Sequence, residues 1–400
     1  MRGSVPYAAI GSADAPARGS SGYRTIYDFG EDAKYEDGRT PASDLLFVNG
    51  KLYGTTQYGG LSGAQCPVGC GTVYEAGTSG SERVVYRFKG GSDGAWPLGR
   101  LAAAGGVLYG TASGGGSKGC AGGCGVLFSI DATGKETVLH RFTGRTDGAN
   151  PVAGLLRVGT SFYGTTEFGG TTTRLCSHGC GTVFKLSSAT ESILYRFRGG
   201  TDGRQPVAPL ISYGGRFYGT TQYGGTQTDF CETGCGVAFT IGTAGGEKTL
   251  GPFVYAKSAP GPAYPAASLT VMNGLLYGTT LGGGTLGDGT VFSIAPSSGA
   301  VRVIHSFVCC ESQNDGAYPV APLLRLGSTL YGSTRSGGSS GRGTIFAVTA
   351  SAKESIIYNF LGAPDGAEPE AGLVDVSGDL YGTAAGGGTR SEGSIFRLPP

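Results

Sequence analysis

Cysteines, carboxylates and aromatic side chains are the residues of this 400-residue chain whose types and spacing invite a chemical reading. It has 10 Cys and 3 His, and eight of the cysteines form four C-x3-C pairs: Cys66/Cys70, Cys120/Cys124, Cys176/Cys180 and Cys231/Cys235. Cys309 and Cys310 are adjacent. Zinc would need four thiolates from two neighbouring loops. C-x3-C is not the usual knuckle spacing, however, and His178 is the only histidine nearby. A disulfide needs Cα atoms roughly 4.4–6.8 Å apart, which residues four apart across a turn can reach. The expectation is four intra-loop disulfides, a Cys309/Cys310 pair that is vicinally bonded or free, and an oxidising compartment. No metal and no cofactor are expected.

The second candidate is a position. Proline recurs at 41, 97, 151, 206, 265, 319 and 369, and the residues before it are Thr40, Trp96, Asn150, Gln205, Tyr264, Tyr318 and Glu368. The proline is constant and its predecessor is not. A following proline favours extended backbone, so these side chains are expected to be exposed around an axial mouth. Flat apolar faces mixed with hydrogen-bonding groups suit a sugar or another small polar ligand.

Two residues after each proline stands a small side chain: Ser43, Gly99, Ala153, Ala208, Ala267, Ala321 and Ala371. Small residues there suit innermost strands converging on an axis. One position further on, Asp44 and Arg100 are the only charges, placed for an ion pair on adjacent blades. Asp44, Arg100, Glu368 and Glu370 are the weak catalytic candidates, since a glycosidase needs paired carboxylates. Asp-Gly at Asp37, Asp93, Asp147, Asp202, Asp315 and Asp365 reads as turn chemistry, the carboxylate accepting backbone N–H bonds. Tyr58, Phe168 and Tyr223 suit either a binding lip or packing beneath loops. His140 and His305 stand where other copies have tyrosine, as core or blade-edge residues. No Ser-His-Asp arrangement, phosphate loop or dinucleotide fingerprint is present.

The elements that must hold these positions are read from a repeat. Tyr-Gly recurs at Tyr53, Tyr109, Tyr163, Tyr218, Tyr277, Tyr331 and Tyr381, spaced 50 to 59 residues apart. Such a period marks a solenoid, propeller or array. Each unit holds four short strands separated by Gly, Pro and Asp turns: A (the L-L run), B (YGTT), C (GTV) and D (YRF). Seven units of four antiparallel strands predict an all-β, seven-bladed β-propeller, with the Gly of each YG pair letting adjacent blades approach. The seventh copy lacks a strand D, and residues 24–29 form a spare one before the first strand A. The N-terminal strand is therefore expected to complete the last blade and close the ring. Residues 1–21 read as a disordered leader, and 22–400 as one domain.

The B-to-C loops have 14, 12, 14 and 14 residues in copies one to four and 8 in the rest, and the C-x3-C pairs occur only in the long ones. Together with the D-to-A connections they load one face, where a binding site is expected. A net charge of +1 with no basic run argues against nucleic acid or an anionic membrane. No transmembrane segment is present. Met1-Arg2-Gly3-Ser4 is not followed by the apolar core of a signal peptide, so a secreted form would be one whose signal had been removed.

The combination LYGTT, GG, GTVF, LYRF and G-x-DG-x-x-P over residues 24–398 resembles the bacterial choice-of-anchor tandem repeat GloVer. The resemblance implies an extracellular or surface-attached protein with a varied C-terminal anchor. Pro399-Pro400 matches no such anchor. It implies no defined chemistry. The expected function is binding, by a monomer, of a glycan, surface polymer or protein partner on the loop-rich face. The alternatives are a polysaccharide lyase or glycosidase at the axial mouth, and a purely structural module.

Overall fold

Each repeat alternates β-branched or aromatic residues with glycine-rich turns, and each folds as a four-stranded antiparallel sheet. The structure, a computed structural model, describes residues 22–30, 34–188, 190–309 and 315–400. The expectations for residues 1–21 and for Cys310 lie outside them. Blade one has strand A at Leu46–Val48, B at Lys51–Thr56, C at Thr72–Ala76 and D at Glu82–Arg87. The order A-B-C-D repeats around seven blades, as expected. Among the described residues there is no α-helix, and no helix long and apolar enough to cross a membrane.

The ring closes through the N-terminal strand. Blade seven takes strands A, B and C from Val374–Val376, Asp379–Ala384 and Ser394–Leu398, and Arg24–Asp28 supplies its strand D. Arg24 pairs with Arg397 and Asp28 with Ser394, with a bulge between Thr25 and Tyr27. Strand C of blade one meets its strand D with the same irregularity, between Val73 and Tyr74. The borrowed strand therefore reproduces the strand it replaces, and it removes the edge an open array would present.

Aromatic rings join the blades. Each strand D is followed by a phenylalanine that meets the strand-C aromatic of the next blade. The pairs run from Phe88–Phe128 at 5.0 Å and Phe142–Phe184 at 5.4 Å round to Phe360–Phe396 at 5.2 Å. Phe29, from the N-terminal strand, meets Tyr74 at 5.0 Å and completes the circle. Such pairs contribute about 0.5–1.5 kcal/mol beyond their buried area. Nearer the axis, the strand-B hydroxyl of one blade donates to a carbonyl of the next. Thr55 reaches Pro97 O at 3.0 Å, Thr111 reaches Ala153 O at 2.9 Å and Thr383 reaches Ser43 O at 3.4 Å. At the joint of blades four and five, the buried Thr220 hydroxyl has no hydrogen-bond partner.

The glycine of each YG pair serves its own blade, not the approach of two blades. A Cβ at Gly110 would lie 2.5 Å from the Phe128 ring, its cross-strand partner, and one at Gly219 would lie 2.6 Å from Phe239. The missing side chain leaves the space that the strand-C ring fills.

Candidate functional site

The B-to-C and D-to-A loops meet on one face, as the bridges Arg39–Tyr58, Ala149–Phe168 and Arg204–Tyr223 show. The residue before each loop proline is seated there. Contrary to the extended backbone expected, all seven have positive φ: Thr40 57°, Trp96 58°, Asn150 56°, Gln205 57°, Tyr264 61°, Tyr318 56° and Glu368 54°. Hydrogen bonds impose this conformation against the proline preference. Each backbone N–H donates to the carbonyl just before the preceding blade's strand-C glycine: Cys70, Cys124, Cys180, Cys235, Asp288, Arg342 and Glu392 accept in turn, and Glu392 serves Thr40. In six copies the carbonyl of the same residue accepts from the end of its own strand B, as in Gln57 N–H to Thr40 O at 3.1 Å. A residue clamped on both sides cannot relax.

The side chains differ in what they touch. Tyr318 is exposed, at 41%. Trp96, expected to be exposed, is half-buried and packs on the core of blades one and two. A Cβ at Gly122 would lie 3.0 Å from its ring. Asn150 and Gln205 converge on Glu167, their amides donating at 2.5 and 3.2 Å. Burial raises the Glu167 pKa, and the two amides oppose that. Arg335 reaches Glu370 at 2.9 Å and Glu368 at 3.7 Å. Tyr264 donates to Phe230 O at 3.2 Å and leans on Tyr223, 5.5 Å between centroids. Of the lip aromatics, Phe168 packs against a core cluster and Tyr223 lies beneath the Arg204 guanidinium.

Below the mouth runs the axial channel, about 90 Å3, lined by residues one to three positions after the loop prolines, among them Leu98, Val152, Asp44, Arg100 and Glu370. Of the small residues two after each proline, expected at the axis, Gly99, Ala153 and Ala267 line the channel, while Ser43 at 1% and Ala321 at 0% exposure are buried beside it. Asp44 is held by the Gly372 N–H at 2.6 Å. No ion pair to Arg100 forms, although both lie on the channel wall. Burial pushes the Asp44 pKa up, against the Gly372 bond and the Arg100 charge.

The four C-x3-C pairs are disulfides with Cα separations of 5.0–5.3 Å. Cys309 is not free. A Cβ at Gly90 would meet Cys66 and Cys70 Sγ at 3.1 Å, so the bridge sits directly beneath the next D-to-A loop.

The Asp-Gly aspartates do turn chemistry and more. Asp93 accepts from Lys89 N–H at 2.8 Å and from the Tyr86 hydroxyl at 2.6 Å. A glutamate opening the next strand D joins them. Glu82, Glu136, Glu191 and Glu247 have pKa values pushed up to about 7 by burial first, then by the charges of Asp37, Asp93, Asp147 and Asp202. His140 and His305 take the tyrosine's place beside Asp147 and Asp315, at 3.4 and 3.2 Å. At the joint of blades four and five the trio is absent: Gly251 replaces the tyrosine, Val301 the glutamate, and Ala259-Pro260-Gly261 the Asp-Gly turn. Sequence reasoning missed this trio. The signal was the glutamate six residues before five of the strand-D phenylalanines, replaced by Val301 in the copy that loses Asp-Gly and by Tyr23 before Phe29.

The chain belongs to the Gloeobacter/Verrucomicrobia repeat family, whose model matches residues 15–175, 161–328 and 232–400. No curated protein matches it in sequence. Virginiamycin B lyase from Staphylococcus aureus shares its fold, with a TM-score of 0.56 at 12% identity, over 94% of this chain and 98% of that one. An oligogalacturonate lyase in complex with manganese superposes with a TM-score of 0.49 at 10% identity, over 90% and 89%. At 12% identity the likeness to the virginiamycin B lyase extends to the fold alone.

Proposed function

We propose that this propeller binds a carbohydrate or carbohydrate-rich surface polymer across the mouth formed by Thr40, Trp96, Asn150, Gln205, Tyr264, Tyr318 and Glu368. One observation carries the reading. All seven residues hold a positive φ that costs a non-glycine residue on the order of 1–3 kcal/mol. The chain has 78 glycines and uses them freely at other positive-φ positions, yet none stands at these seven. Side chains are kept where glycine would relieve the strain, and they are of the types that stack on sugar faces and bond their edges. The four disulfides fit an extracellular or surface-associated setting.

Catalysis in the axial channel is less favoured. Asp44 and Glu370 line it, but its volume of about 90 Å3 is below the roughly 300–1,000 Å3 of a small-molecule site.

A glycan array on the full chain, followed by titration of a hit, tests the reading. Tyr318→Ala is the informative variant because its ring is exposed, and loss of such an anchor should weaken binding by about 1–3 kcal/mol. Trp96→Ala should weaken binding too, with a loss of stability that Tyr318→Ala lacks. Undiminished affinity in both variants would move the site off this ring.

A further inference from the structure

The joint of blades five and six is one of two where the repeated trio carries histidine, the other being His140, Asp147 and Glu191. His305 comes from strand D of blade five, Asp315 from the loop that follows, and Glu354 from the start of strand D of blade six. His305 Nε2 lies 3.2 Å from Asp315 Oδ2. One ligand atom from each of the three lies within 4.8 Å of the others, and among the described residues no other group of three His, Cys, Asp or Glu side chains converges so closely.

What sets this joint apart from the other histidine joint is that close convergence. At two tyrosine joints the phenol answers both carboxylates. Tyr27 donates to Asp37 at 2.9 Å and also bonds Glu82, and Tyr195 likewise bonds Asp202 and Glu247. The imidazole of His305 bonds Asp315 only. Glu354 Oε1 is buried with no hydrogen-bond partner, as are the Oε1 atoms of Glu82, Glu136 and Glu191. Two carboxylates and an imidazole thus converge with an uncompensated acceptor between them, an arrangement that costs free energy unless a cation or proton occupies it.

We propose that His305, Asp315 and Glu354 bind a divalent transition ion, zinc in the first instance. One nitrogen and two carboxylate oxygens are ligands this ion accepts at about 2.0–2.2 Å, with a fourth position left for water. The bound ion would satisfy Glu354 Oε1 and tie blade five to blade six. Asp315 stands three residues before Tyr318, so the ion would also fix the loop that presents that mouth residue. Blades five and six are in the part of the ring whose B-to-C loops have no disulfide.

His305→Tyr is the decisive variant, because tyrosine is what the repeat itself uses at Tyr86, Tyr195 and Tyr358 and the joint should fold with it. Full-length wild type, stripped with chelator and dialysed against zinc chloride, should retain one ion per chain and gain in melting temperature. Cobalt in its place should give visible absorption bands. His305→Tyr should lose the ion, the bands and the metal-dependent shift, and His140→Tyr should keep all three. A wild type that takes up neither metal overturns the assignment, and so does a His305→Tyr protein that binds as the wild type does.

Discussion

The two arcs of the ring solve one problem by different chemistry. In blades one to four the residue before the strand-C glycine is a cysteine, and in blades five to seven it is Asp288, Arg342 or Glu392. In both arcs its carbonyl accepts the N–H of the next mouth residue at 2.7–2.9 Å. In both it also braces the following D-to-A loop. The disulfides do so as buried sulfur beneath Gly90, Gly144 and Gly199. The short arc does so with charge: Glu392 meets Arg39 at 2.7 Å, and Asp288 accepts from Cys309 N–H at 2.9 Å. A 14-residue glycine-rich loop has more freedom to restrict than an 8-residue one, and a covalent tie suits it better than an ion pair. The backbone task is shared, so the arcs should separate only under conditions that attack one brace.

The largest effect is expected at the seam inside the short arc. Deleting residues 1–29 removes strand D of blade seven, exposes the edge of Ser394–Leu398 and leaves Tyr74 without Phe29. The melting transition should lose cooperativity and light scattering should rise, whereas deletion of residues 1–20 should change neither. An unaltered melt after the longer deletion would refute closure by this strand.

Reduction comes next and should act on one arc alone. A loop closed by cysteines four apart contributes about 2 kcal/mol by chain entropy. Dithiothreitol should therefore lower the melting temperature and speed amide exchange in the B-to-C loops of blades one to four, leaving those of blades six and seven unchanged. Exchange that rises evenly around the ring would dissolve the distinction.

A smaller effect follows pH. Glu82, Glu136, Glu191 and Glu247 titrate near 7 when folded against 4.5 as the ordinary value. Their folded forms hold protons more tightly, so the contribution is complete below about 4.5 and is lost as pH rises through about 7. All four are partly exposed, which screens the effect. Melting temperature should fall between about pH 5 and about pH 8, and Glu82→Gln with Glu136→Gln should flatten that slope. An equal slope in the double variant would remove these residues as its source.

The smallest effect is the ionic brace. Glu392→Gln should cost about 0.2–1 kcal/mol in low salt and less as salt screens the wild-type pair, read as a converging pair of denaturation midpoints. A loss as large as that from a disulfide would make the two braces equivalent.

Ring closure was legible in the sequence because a missing strand and a spare strand of one type can be counted without knowing any side-chain contact. The disulfides were legible for the same reason, since spacing alone decides whether two cysteines can meet. The mouth backbone was not. The proline rule points to extended geometry, and the clamp that overrides it comes from loops of two different blades, such as Cys70 O on Trp96 N–H. The role of Gly110 was hidden because cross-strand register puts Phe128 over it. The burial of Trp96 depends on the path of its own blade's long loop over Gly114 and Gly122. Only Glu82 and its counterparts were recoverable and overlooked.

The bare joint between blades four and five bears on how such a ring changes over time. Gly251, Val301 and the missing aspartate occur together, so no half-buried carboxyl at that joint is left without its phenol. The joint of blades six and seven shows a different solution: Tyr358 and Asp365 remain bonded at 2.8 Å, and Tyr23, stacked on Tyr358, stands where the glutamate would be. A joint can thus trade one member of the trio for an aromatic ring, and a copied blade joins the ring smoothly where its neighbour offers a side chain that fits the tyrosine and aspartate it brings.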